Sequence, residues 1–124
     1  MQKGVLVGIV VLAILLFQVS LAPANKSEAS IEAPTEVVKG SEVMLRITAT
    51  HNVNTASHYT EWLKVMANKK EVARWDYTKE NRPEGAVFTK EIKIKVTEDV
   101  EIVAEASCNN HGSRGPAKHK IMVK

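Results

Sequence analysis

From Glu42 to Thr50 the chain alternates without a break. Val43, Leu45, Ile47 and Ala49 point one way, and Met44, Arg46 and Thr48 point the other. A period of two is the mark of a strand with one buried face, and it excludes a helix over the same residues. The pattern returns five times. Glu61 to Ala67 sets Leu63, Val65 and Ala67 against Trp62 and Met66. Glu71 to Tyr77 alternates Ala73, Trp75 and Tyr77 with charged partners. Val87 to Val96 turns Phe88, Ile92, Ile94 and Val96 inward. Val100 to Cys108 and Lys118 to Lys124 complete the set. Ile31 to Pro34 reads as a short edge strand stopped by its proline. Val37 to Ser41 reads as a strand fragment and a turn, and Asn25 to Ser30 as a loose polar lead-in. No segment after residue 24 has a 3.6-residue period. About seven short strands at regular spacing predict an all-β sandwich of immunoglobulin type, beginning near Ser30. Its predicted core is Leu45, Ile47, Leu63, Val65, Ile92, Ile94, Ile102 and Ala104.

A chain of 124 residues makes one such domain and not two. The first 24 residues stand outside it. Lys3 supplies a positive start, Gly4 to Phe17 is an uncharged apolar run, and Ala22-Pro23-Ala24 is a small-x-small site. This is the pattern of a secretory signal peptide cleaved after Ala24, leaving Asn25 as the new terminus and residues 25–124 as the mature domain. The alternative is an uncleaved anchor over residues 4–24, close to the ~20 residues of a spanning helix. Either reading places the domain outside the cytoplasm, in the periplasm or its equivalent, with membrane contact only if the segment is retained. The net charge of +3 is scattered, with no basic stripe interleaved with aromatics, so nucleic acid is not an expected partner.

The candidate chemistry lies at Ser107-Cys108-Asn109-Asn110-His111-Gly112, where the last long strand ends. It contains the only cysteine and one of the four histidines. One cysteine forms no internal disulfide, so in an exported protein it calls for a metal, a partner or a reactive thiol. By itself Cys108-x-x-His111 reads as a buried structural cysteine beside a surface histidine, because a closed metal site needs about four ligands. Two more candidates, His51 and His58, bracket the loop His51 to Thr60. Alternate loops of a sandwich gather at one end, so the two loops can meet and offer three imidazoles and one thiolate. The fourth histidine, His119, is in phase with Ile121 and Val123 on the last strand, the position of a core or edge residue.

Cys108-Asn109-Asn110-His111-Gly112 resembles the Cys-Asn-x-His-Gly motif of the superoxide reductases, the neelaredoxin and desulfoferrodoxin iron domain. Ile31-Glu32-Ala33-Pro34 and Lys39-Gly40 resemble that family's early strands. His51, Asn54-Thr55, His58 and Trp62 resemble its His-Pro-x-Thr/His-x-x-x-Trp region. The resemblance implies an immunoglobulin-like sandwich holding one non-haem iron, with Cys108 as axial ligand and His51, His58 and His111 as three of four equatorial ligands. It implies one-electron reduction of superoxide to hydrogen peroxide. Lys26 would attract the anion and order the proton-donating water. The electron would come from a separate donor protein, since the four-cysteine rubredoxin-like domain has no counterpart here.

Two departures stand out. Counting back from Pro34, the family's Lys-His pair falls on Lys26-Ser27, so the lysine is present and the fourth equatorial histidine is serine. Asn52 replaces a proline, and the loop from His51 to His58 holds one extra residue. A three-histidine, one-cysteine set also suits copper or zinc. The alternative function is therefore a non-catalytic metal-binding or docking module on the same fold.

Overall fold

The computed structural model describes residues 25–124; the leader read over Met1 to Ala24 lies outside the described residues. Eight strands form two sheets. They are β1 (Glu28–Glu32), β2 (Glu36–Val37), β3 (Ser41–Thr50), β4 (Thr60–Ala67), β5 (Lys70–Asp76), β6 (Val87–Val96), β7 (Val100–Cys108) and β8 (Ala117–Val123). One sheet has the order β1-β3-β6 and the other β2-β8-β7-β4-β5. All pairings are antiparallel except β2 with β8. The architecture is the expected sandwich, with no helix among the described residues.

The alternation read from the sequence is the alternation of burial. Val43, Leu45, Ile47 and Ala49 of β3 face Leu63 and Val65 of β4 and Ile102, Ala104 and Ala106 of β7 in one continuous core. Withdrawing each of Leu45, Ile47, Leu63, Ile102 and Ile121 from water contributes about 1.5–3 kcal/mol. The β4–β5 hairpin turns on Asn68 and Lys69, both with positive φ. That is the primed geometry whose twist matches the flanking strands.

Three expectations need adjustment. The fragment at Glu36–Val37 is a strand in its own right, held beside Met122 and Val123. The lead-in is not loose up to Ser30: β1 starts at Glu28, opposite Thr50, and Ser27 is fully buried. Ile92 and Ile94 are half-buried rather than central. They lie on β6, the edge of the small sheet, beside a groove of about 740 Å³ that opens between β6 and β5.

The pairings set the geometry of one end of the sandwich. Glu28 opposes Thr50, and Thr60 opposes Cys108. The entry to β1, the exit of β3, the entry to β4 and the exit of β7 therefore all reach the same end.

Candidate metal centre

His51 is the first residue past β3. Its backbone N–H donates to Ala86 O at 2.8 Å, which extends the small sheet by one bond. The ring is buried, with Nδ1 2.8 Å from Val53 O and Nε2 3.0 Å from Asn25 O. His58 is held by a two-bond bridge with Thr55, N–H to carbonyl in both directions at 2.9 and 3.2 Å. Cys108 ends β7 as a free, buried thiol. The chain then turns back at once. Cys108 N donates to Gly112 O at 2.9 Å and Gly112 N to Cys108 O at 3.1 Å. Gly112 has φ +78, where a side chain would be strained.

These elements bring one donor atom each of His51, His58 and Cys108 to within 4.8 Å of one another. The His51 and His58 rings meet edge to face, 4.6 Å between centroids. His111 stands at the open side of this group. Its Nδ1 is 3.2 Å from His58 Nε2 and 4.0 Å from Cys108 Sγ, and its ring is exposed. Of the four residues singled out in the sequence, three therefore form a tight group, and His111 stands at its rim beside His58 and Cys108. His119 is elsewhere, on β8 opposite Ile102, with Nε2 3.0 Å from Pro34 O. It acts as an edge residue.

The environment favours ligation. Burial, then the neighbouring His51 and His111 rings, hold the His58 imidazole below its ordinary pKa, against a smaller upward pull from the Asn25 backbone. His58 is thus biased towards the neutral form that binds metals. The sulfur accepts a hydrogen bond from Asn110 N at 3.4 Å. A backbone dipole aimed at the sulfur tunes any metal it holds. Imidazole and thiolate are borderline and soft donors, so the set suits a transition metal and not magnesium or calcium.

Sequence reading missed the clamp that joins the two loops. Asn109 Oδ1 accepts from Tyr59 N at 2.9 Å, and Asn109 N donates to Tyr59 O at 3.0 Å. The side-chain amides of Asn109 and Asn110 both donate to Ser57 O, at 3.2 and 2.9 Å. Asparagine side chains flanking a ligand were the available signal, since they bond to nearby backbone and hold turns. Ser27, at the position of the absent histidine, does not face the donors. Its Oγ bonds Thr60 Oγ1 at 2.7 Å, its N–H donates to Gly112 O at 3.2 Å, and its carbonyl accepts from Arg114 N at 2.9 Å. Lys26 is exposed and lines a cavity of about 100 Å³ together with His51, Asn52 and Arg114.

Comparisons with known proteins extend over most of the chain. The profile of the desulfoferrodoxin family matches residues 22–113. A superoxide reductase (neelaredoxin) from Ignicoccus hospitalis has a similar structure, with TM-score 0.66 and 21% identity over 80% of this chain and 82% of that one. A proposed superoxide reductase of Thermotoga maritima gives TM-score 0.59 and 25% identity over 78% of this chain and 86% of that one. The sulfur carrier protein SoxY of Chlorobium limicola shares the fold at 13% identity, TM-score 0.58, over 78% of this chain and 82% of that one. A search of curated proteins finds no match.

Proposed function

Because this chain belongs to the desulfoferrodoxin family, we propose that it is a mononuclear iron protein that reduces superoxide outside the cytoplasm. The observation that carries the proposal is the convergence of His51, His58 and Cys108 within 4.8 Å. Iron held there would supply the single electron that superoxide takes up, and the Cys108 thiolate would donate electron density to it. The balance is superoxide plus one electron plus two protons to hydrogen peroxide. The electron is returned by a separate donor protein.

The residues of this chain have distinct parts in that reaction. Cys108 and the histidines His51, His58 and His111 are the proposed ligands. Asn110 N–H holds the sulfur and Asn109 holds the His58 loop against it. At the cavity beside His51, Arg114 is paired with Glu28 at 3.7 Å, and Lys26 is the cation left to draw an anion inward. Lys26 also orders the water that delivers a proton. The leader over residues 1–24 directs export, so N-terminal sequencing of the protein from its host should begin at Asn25.

A second reading has a specific observation behind it. Ser27 is fully buried and satisfied by Thr60, so no histidine completes the plane from that side. The same donors without iron chemistry would make a zinc- or copper-holding module. Metal analysis of protein purified from its native host, with a visible spectrum of the oxidised form, separates the two. Iron with a thiolate-to-ferric charge-transfer band, and superoxide consumption that Cys108→Ser removes together with the band, supports the reductase. Zinc alone, or iron without the band, overturns it.

A further inference from the structure

Each sheet has two edges, and among the described residues three of these four edges are protected against pairing with another chain. β1 is five residues long and β2 only two. β5 is irregular where it pairs with β4, between Val65 and Met66, and its Arg74 already holds Glu71 and Asp76. Shortness, bulges and charge are the usual protections of an edge. β6 differs. It has ten residues, no proline and an unbroken register with β3. His51 N–H donates to Ala86 O, which fixes the phase of that ladder. Phe88, Lys90, Ile92 and Ile94 therefore bond to β3, while Thr89, Glu91, Lys93 and Lys95 turn their N–H and C=O groups outward. Ile92 and Ile94 stay half-buried, beside the groove between β6 and β5.

A second copy of β6 fits this edge in one antiparallel register, the one centred on Ile92. Glu91 of each copy then lies opposite the partner's Lys93, twice across the twofold axis. On the inner face Ile92 meets the partner's Ile92, and the stem of Lys90 covers the partner's Ile94. Centring the pair on Lys90, Glu91 or Lys93 sets that charge against its own copy, and centring it on Ile94 sets Lys93 against Lys95. Like charges directly opposite each other oppose pairing. The charges of β6 thus exclude the neighbouring registers and select this one. We infer that β6 is the interface of a symmetric dimer, whose two small sheets join through Phe88 to Val96 into one continuous sheet. The occupant of the edge is a second copy of this chain, recognised by the match of Glu91 to Lys93. β6 starts at the end that carries His51, so antiparallel pairing places the two candidate metal sites at opposite ends of the dimer. The inference stands or falls independently of metal binding.

The test uses the protein made with its own leader and processed by its host, every chain in the same mild detergent. Sedimentation equilibrium should give a dimer for the unsubstituted chain. Lys93→Glu sets like charges opposite each other at both places, while its neighbour on β3 remains Met44. The dimer dissociation constant should rise roughly tenfold, since two attractive pairs become repulsive. Glu91→Lys should weaken the dimer likewise, and Glu91→Lys/Lys93→Glu should restore it. Position 92 is a non-hydrogen-bonded pair of the new ladder, where Cα atoms stand about 4.5 Å apart, within the span of a disulfide. Ile92→Cys should therefore cross-link two copies on mild oxidation, and Ile94→Cys should not, because Lys90 stands opposite it. A monomer at every concentration overturns the inference and leaves the edge to some other chain. A dimer that ignores the single swaps, or that the double swap fails to restore, lies on another surface and overturns it as well.

Discussion

Ser27 Oγ and Thr60 Oγ1 are 2.7 Å apart and both side chains are buried, one entering β1 and the other opening β4. The pair joins the two sheets beside the candidate site, since Thr60 is also the register partner of Cys108. Removing one partner leaves a buried hydroxyl without a bond. Ser27→Ala should lower stability by about 1–3 kcal/mol, read from chemical denaturation. The double variant Ser27→Ala/Thr60→Val should recover most of that loss. If the double variant is as unstable as the sum of the singles, the hydroxyls are not bonded to each other.

The histidine loop depends on the cysteine loop through Asn109. Asn109→Ala removes the acceptor for Tyr59 N and a donor to Ser57 O. Metal affinity should fall roughly 10–100-fold, the usual cost of losing a group that orients a ligand. Equilibrium dialysis with Zn2+ gives the number. An unchanged affinity would show that the loop holds His58 without the clamp.

His58 sets a pH dependence whose sign can be worked out. Its folded pKa is depressed below the ordinary value of 6.5, first by burial and then by the two neighbouring rings. Above 6.5 the ring is neutral in both the folded and unfolded chain, and its full contribution to stability is present. As pH falls through 6.5 towards the folded value, the unfolded chain takes up a proton that the native site resists, and stability is lost. Metal-free protein should therefore melt lower with acidification across that window, and His58→Gln should flatten the slope. Metal affinity should decline over the same window, because the proton and the metal compete for one lone pair.

His119 provides the negative control. Its side-chain hydrogen bond to the carbonyl of Pro34 fastens the stretch after β1 to β8. His119→Ala should cost about 0.5–1.5 kcal/mol and leave metal content and spectrum as they were. Loss of metal in this variant would place a fourth imidazole in the site.

Alternation made most of the fold legible in advance. Glu42 to Thr50 reads as a strand because each residue's face is decided locally, and the limits of β7 at Val100 and Cys108 were equally plain. The start of β1 was not, because Glu28 to Ser30 gain strand geometry only from Thr48 to Thr50, twenty residues on. Ile92 and Ile94 look like core residues in sequence, yet a strand at a sheet edge has a neighbour on one side only. At the site, the sequence pointed to His51, His58 and Cys108, whose donor atoms meet, and to His111 beside them. The Asn25 and Val53 carbonyls that hold the His51 ring were not legible, since every residue carries a carbonyl and only the folded chain selects which one is aimed.

His51 caps a strand of the small sheet and Cys108 ends a strand of the large one, and nothing in the local sequence brings them together. Neither sheet alone contains the donor set. A chain that has formed its hairpins but not docked its sheets has no site, and contacts of this sequence range are the slow ones to form. Metal uptake should thus follow the last step of folding and not assist the first. Once bound, the metal favours only the docked form, so it would act as a latch on the closed sandwich and slow its opening.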